Sequence, residues 1–429
     1  MDTEADPWRG LACARMEKIV KRAFLVPLVL LLTVAVVVGF FIMNNAPSTP
    51  LTRVAPVSGP QARAYLYYTL KESAGFVLAR AAKGPDGQPL GQPQQLLALG
   101  DEFGLTESDS VSSMQLSPDG LYLAIDGIRD HGEQVWIYNT QTGALALQPA
   151  YVSGNFLHWL PGGHTFLYRP MLPLGPDAPM DNSGWHPGLW TVDAASGAYR
   201  NIELGVPSAD LVDAVPSPDG SHIVYSVSMG LGLGSTTFVM QADGRNRTVL
   251  FSIDGGTQAV AGLFAWSPDS SRIAYERLSD SSTPFLPASL WLMDRQGGQQ
   301  ERLTTIDGGH GYAPSWSPDG TMLAYVARTN IADREADVNA QALQSAIGVV
   351  NVATHRSWLV ASPQQTGQQL NINPIWSMGD GSITFTSLNA INRLVGGTPR
   401  YWSAPVLDTP LHTQLKSLTS PITHVIAFV

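Results

Sequence analysis

The sequence is short of charge, of cysteine and of any basic surplus. Only 14% of its 429 residues are Asp, Glu, Lys or Arg, against roughly a quarter in average chains. Its surface must therefore rely on neutral polar groups and turns. A single cysteine, Cys13, excludes a disulfide framework within the chain. The 25 basic residues against 35 acidic ones leave a net charge of -10, which argues against a general nucleic-acid binder with its basic stripe. Disorder is excluded as well, because 44% of the residues are hydrophobic. Glycine and proline are plentiful instead, at 41 and 31.

Long apolar runs are absent but for one. Residues 23–43 (AFLVPLVLLLTVAVVVGFFIM) carry no charge over 21 positions. A helix of that length spans about 30 Å, the thickness of a bilayer core. Arg9, Arg15, Lys18, Lys21 and Arg22 precede it, and the next basic residue is Arg53. The positive-inside rule then puts residues 1–22 in the cytoplasm and everything after Asn44 outside it. A cleaved signal peptide is the rival reading. Its apolar core would run only about 7–15 residues, and the best site, after Ala46, is followed by Pro47. An uncleaved signal-anchor in a single-pass protein of the cell membrane, bacterial in type, is the expectation. Residues 44–61, with four prolines, read as an extended stalk.

A spaced turn motif fills the remainder. LSPDG stands at 116–120, PSPDG at 216–220, WSPDS at 266–270 and WSPDG at 316–320, with weaker copies WLPGG at 159–163 and WSMGDG at 376–381. Proline presets φ, aspartate bonds nearby backbone and glycine accepts positive φ, so each copy is a tight turn. Short β-like runs follow, such as HIVYS (222–226) and then TFVMQAD (237–243). Four short antiparallel strands per unit, repeated at this period, describe propeller blades rather than a helical solenoid. The fold class is all-β, a propeller over residues 62–429. Six motif copies give six blades. Residues 62–100 add a seventh if the terminal strand THVIAFV (423–429) becomes its innermost strand and closes the ring. A count of six follows if WLPGG is not a blade. Four tryptophans precede the motif (159, 266, 316, 376) and others recur on a middle strand (136, 190, 291, 402). Their fixed place in each repeat favours packing between blades over a carbohydrate platform.

The pattern WSPDG-x-x-[IL]-A-[YV], carried by WSPDGTMLAYV (316–326) and WSPDSSRIAYE (266–276), resembles the repeat of TolB-like β-propellers. Similar repeats occur in the propeller domains of prolyl oligopeptidase relatives. The resemblance implies a fold and not a function, since such families include scaffolds, sensors and enzyme-gating domains. A peptidase reading would need a G-x-S-x-G elbow, which this sequence lacks, so a propeller without a hydrolase domain is expected. Oligogalacturonate lyases resemble the fold and use convergent histidines, but no motif carries those residues over. The nine histidines include no H-x-H or H-E-x-x-H pair, so neither a metal nor a cofactor is expected. GLGLG (230–234) lacks the spacing and the following helix of a phosphate loop and reads as a hairpin.

Loop length gives the functional clue. The connections between second and third strands and between blades open on one face. Five are long: 170–187, 227–236, 277–288, 327–346 and 387–400. Insertions on one face mark a working surface. Residues 330–345 hold helix formers after Asn330, suggesting a small lid helix. Position alone puts Asp210, Asp213, Asp254, His310, Tyr312, Asn371 and Asn373 at the channel mouth, and Arg328 and Arg393 in the long loops. The expectation is a non-catalytic scaffold or sensor that binds a protein, peptide or envelope polymer on this face, without nucleic acid. The alternative is a glycan-active lyase or hydrolase at the channel mouth.

Overall fold

The computed structural model describes residues 52–53, 65–72, 75–84, 89–99, 110–129, 132–147, 153–171, 188–203, 210–308, 311–377, 381–389, 400–406, 415–418 and 424–427. The apolar segment 23–43 lies outside them. Among the described residues no helix is long and apolar enough to cross a membrane.

Seven sheets follow one another, each with four antiparallel strands. Blade two comprises Ser110–Leu116, Tyr122–Arg129, Gly132–Asn139 and Leu145–Leu147. Blade three comprises Ser153–Trp159, Thr165–Met171, Leu189–Asp193 and Tyr199–Glu203. Blade four runs through Leu211–Pro216, His222–Ser228, Ser235–Gln241 and Thr248–Ile253. Blade five holds Val260–Trp266, Arg272–Leu278, Ala288–Asp294 and Glu301–Ile306. Blade six holds Ser315–Trp316, Met322–Arg328, Ser345–Asn351 and Ser357–Ala361. Blade seven holds Leu370–Trp376, Ser382–Leu388, Arg400–Pro405 and Lys416–Leu418. WLPGG does open a blade, so the count is seven.

Blade one is built from both ends of the described chain. His424–Ala427 pairs antiparallel with Tyr65–Glu72, inside Gly75–Lys83 and Pro89–Ala98. The terminal strand therefore closes the ring as expected. An unforeseen fifth strand, Thr52–Arg53 from the expected stalk, pairs parallel with Gln94 and Gln95 on the outer edge of that blade. Closure and edge cover together remove free strand edges that would invite aggregation.

The motif turns share one geometry. Ser217 N donates to His222 O at 2.8 Å, Gly220 N to Ser217 O at 2.8 Å, and the Ser217 hydroxyl to Asp219 Oδ1 at 2.6 Å. Asp219 Oδ1 also accepts from Ser221 N at 2.9 Å. Gly220 has φ +70°, which is why glycine fits there. Ser270 holds that place in the WSPDS copy at φ +59°. Its strain has a counterpart, because the Ser270 hydroxyl accepts from Asp219 N of the preceding blade at 3.1 Å. Neighbouring turns are linked elsewhere too, through His164–Asp119 at 2.7 Å and Arg272 to Gly320 O at 3.0 Å.

Tryptophans fill the wedges between blades. Trp159, Trp266, Trp316 and Trp376 are all buried. The first three reach back one blade, donating from the indole to Gln115 O, Val215 O and Ala265 O at 3.0, 3.0 and 2.9 Å. Around each lies an apolar cluster from two adjacent blades, such as Ala274, Leu290 and Leu292 of blade five with Trp316, Leu323 and Val350 of blade six. The middle-strand tryptophans 136, 190 and 402 are buried as well, as the packing role expects, while Trp291 is half-buried beneath Arg277.

Two outcomes follow for the turn belt. Ser270→Ala loses the inter-blade bond without relieving the backbone, and should cost about 1 kcal/mol by urea unfolding. Ser270→Gly relieves about 1–2 kcal/mol of left-handed strain and should fall close to the parent, a difference that equal losses would refute. The turn aspartates set acid sensitivity. Hydrogen bonds from Ser217 and Ser221 hold the Asp219 carboxyl at about 2, and those from Ser267 and Ser271 hold Asp269 at about 2. A depressed folded pKa stabilises fully above the ordinary carboxylate value near 3.8, and this is lost as pH falls through about 2. Asp219→Asn with Asp269→Asn should flatten stability between those pH values. An unchanged acid profile would refute that assignment.

Candidate functional site

The first strands of neighbouring blades pack against one another and ring the channel. Each enters from the long-loop face, so its opening residues stand at the mouth. Asp210 and Asp213 open blade four, Asp254 lies in the loop before blade five, and Asn371 and Asn373 open blade seven. His310 and Arg393 lie outside the described residues.

These candidates do different jobs. Asn371 is fully buried and clasps blade six: its N–H donates to Ser345 Oγ at 3.0 Å and its side-chain amide to Ser345 O at 2.9 Å. Asn373 sits in a bulge of the first strand at φ +53°, a conformation asparagine tolerates well. Leu263 takes the same place and conformation in blade five, at φ +52°. Asp254 is exposed, while Asp210 is partly buried, which pushes its carboxyl upward. Tyr312 packs against an apolar cluster of Phe285, Val326, Ala336, Leu343, Leu370 and Ile372, and burial pushes its phenol up to about 12. Arg328 is 5% exposed and works inside the protein. Its guanidinium donates to Phe285 O and to Asp337 Oδ1, the latter at 3.1 Å.

That clamp ties the long loops together. Phe285 N of blade five donates to Asp337 O at 3.1 Å, and Arg334 pairs with the other Asp337 oxygen at 3.3 Å. Gly232 N of blade four donates to Asp280 Oδ2 of blade five at 3.0 Å. Gln369 of blade seven donates to Leu343 O and Gln341 O of blade six, at 2.6 and 2.8 Å. The 330–345 segment forms two 3₁₀ turns, Glu335–Asp337 and Ala340–Ala342, rather than the expected lid helix. Asn330 is no helix cap. Its amide donates to Ala342 O at 2.8 Å, closing the base of the loop.

Asp213, on the first strand of blade four, feels the charges of two blade-three residues that position had not suggested, His158 and Arg169. The first strand of blade three is bulged at Leu157, which sets His158 opposite Leu167, on the side of blade four. Arg169 donates to Asn155 Oδ1 at 2.8 Å and to Leu211 O at 3.0 Å, and its Nε has no partner among the described residues. Asp213 Oδ2 accepts from Phe264 N at 3.0 Å. Burial pushes the Asp213 carboxyl up, opposed by His158 first, then by backbone N–H donors and Arg169. Burial pushes the His158 imidazole down, opposed by Asp213. One further carboxyl is deeply buried between blades five and six. Glu276 is 2% exposed, and burial, aided by the charge of nearby Asp307, raises it well above its usual range. Among the described residues no three His, Cys, Asp or Glu side chains converge to hold a metal ion.

No family model matches the chain. It is 27% identical over 219 residues to an uncharacterized protein of Agrobacterium fabrum, covering 49% of this chain and 68% of that one. It is 26% identical over 239 residues to an uncharacterized peptidase of Bacillus subtilis, covering 53% of this chain but only 31% of the peptidase. Among solved structures it is similar to an oligogalacturonate lyase in complex with manganese (14% identity, 83% of this chain and 90% of that one, TM-score 0.53). A prolyl endopeptidase is similar over 97% of this chain and 58% of its own (13% identity, TM-score 0.52), and TolB from Acinetobacter baumannii over 69% and 63% (17%, 0.41). At these identities the likeness is one of fold: the chain is a seven-bladed, all-β propeller with four-stranded antiparallel blades.

Proposed function

We propose that the chain is a TolB-like, membrane-tethered binding propeller, which engages a protein, peptide or envelope polymer outside the cytoplasm through its long-loop face. The observation carrying this reading is the fastened lip. Blades one and two connect their second and third strands across 73–74 and 130–131, whereas blades four, five and six use 229–234, 279–287 and 329–344. Those three connections are held together by Arg328 and Asp337 on Phe285 and by Gly232 on Asp280. Neutral drift would lengthen loops on both faces and leave them unlinked. Residues 23–43 supply the tether in this reading, with residues 1–22 in the cytoplasm. No metal or cofactor is invoked.

A second reading, a glycan-active lyase or hydrolase, draws on His158 and Asp213, which bias one another's protonation on the first strands of blades three and four. The two readings separate experimentally. Crosslinking the full-length protein in membranes should yield one stable partner. Shortening the loops within 172–187 and 330–334, sparing Arg328 and Asp337, should lose it. Equal recovery from shortened and intact protein would sink the binding reading. Turnover in a polysaccharide panel that His158→Ala, Asp213→Asn or His310→Ala abolishes would establish the catalytic one.

A further inference from the structure

Nine large apolar side chains are conspicuously exposed among the described residues, and they fall into two groups. Leu90, Tyr199, Val249 and Leu359 lie on fourth strands, at the outer rim. Met229, Leu231, Leu233, Ile331 and Val338 all lie on the long loops of blades four and six. The blade-four hairpin is the clearest case. Glycines 230, 232 and 234 take φ of +108°, +70° and +107°, and the residues that alternate with them, Met229, Leu231 and Leu233, are 46%, 44% and 60% exposed.

This hairpin is closed by its own hydrogen bonds. Leu233 N donates to Gly230 O and Met229 N to Gly234 O, both at 2.9 Å, and Gly230 N donates to Ser228 Oγ at 3.1 Å. A Cβ on residue 234 would lie 1.8 Å from Ile253 O and 2.7 Å from Gly255 N, so the hairpin backbone is pressed against the end of the blade's fourth strand and the loop that follows it. Gly232 N is anchored on Asp280. Apolar side chains on a backbone already held by hydrogen bonds have little backbone entropy left to lose on binding, lose only rotamer freedom, and gain from burial.

The exposed charge around it is mainly acidic. Asp254, Asp333 and Glu335 are exposed and Asp280 partly so, against exposed Arg334. Asp307 and Asp337 are buried, the latter paired with Arg328. Arg334 is itself paired with Asp337. An anionic bilayer surface would be repelled here, and an acidic polymer likewise.

Resting on the binding reading above, we infer that the lip of blades four to six is a docking site for a basic, apolar peptide segment of a partner protein. Its apolar residues cover Leu231 and Leu233, and its Lys or Arg residues face Asp254, Asp333 and Glu335.

A photoreactive phenylalanine analogue placed at Leu231 in the full-length protein, in its own membranes, tests this. The expected adduct is a peptide rich in Lys or Arg and apolar residues, seen by mass spectrometry. The same analogue at Val249, on the rim of blade four, should not form that adduct. With the analogue moved to Ile331, Leu231→Ser with Leu233→Ser should lower the yield at least about tenfold, on the scale of two lost apolar contacts. Asp254→Asn with Glu335→Gln should lower it about fivefold at low salt and less at high salt. Adducts with lipid, with a polysaccharide or with acidic peptides would overturn the inference while leaving loop-face binding in place. No adduct from either lip position would overturn both. Yields indifferent to both double variants would also refute it.

Discussion

The indole wedge is the constraint on which the ring depends. Each blade is a twisted sheet that cannot bury both faces by itself, so it must be sealed against its neighbours. Trp159, Trp266 and Trp316 do this in one move, filling the gap with an apolar ring and satisfying the indole N–H on the preceding blade. The bond joins first strand to first strand, so it fixes the angular step beside the channel, where a small error would prevent closure. The serine–aspartate turns repeat the linkage on the opposite face from the long loops. With blade contacts and turns occupied in this way, the long-loop face is left free to vary.

Most of this architecture is written in local chemistry and was legible in the sequence. Serine, proline, aspartate and glycine specify a turn without help from distant residues, and the interval between copies counts the blades. Even the degenerate WLPGG copy opens a blade, because strands on either side supply the pattern. The closing strand was readable for a related reason: one strand was left over at one end, and one blade lacked a motif at the other.

The chemistry of the mouth was less legible, because it depends on irregularities that leave no period. A one-residue bulge at Leu157 decides which way His158 faces, and another at Val212 does the same for Asp213. Arg328 looks from the sequence like a loop cation, yet tertiary contacts turn it inward onto Phe285 and Asp337. The helix expected at 330–345 loses to side-chain bonds that pin Asn330 across the loop base, leaving two short turns. Glycines 230, 232 and 234 were readable as a hairpin. That the hairpin would lift three apolar side chains into solvent required the pairing that holds it.

The small strand Thr52–Arg53 has a consequence for geometry. It docks on the outermost edge of blade one, so the chain leaves the ring from its perimeter and not from the axis. Under the proposed anchoring, residues 44–51 alone separate that edge from Met43, and eight residues reach at most about 30 Å. The disc would then be held as a coin is held by its edge. Neither face would be pressed to the lipid, and a partner could approach along the channel axis, parallel to the bilayer.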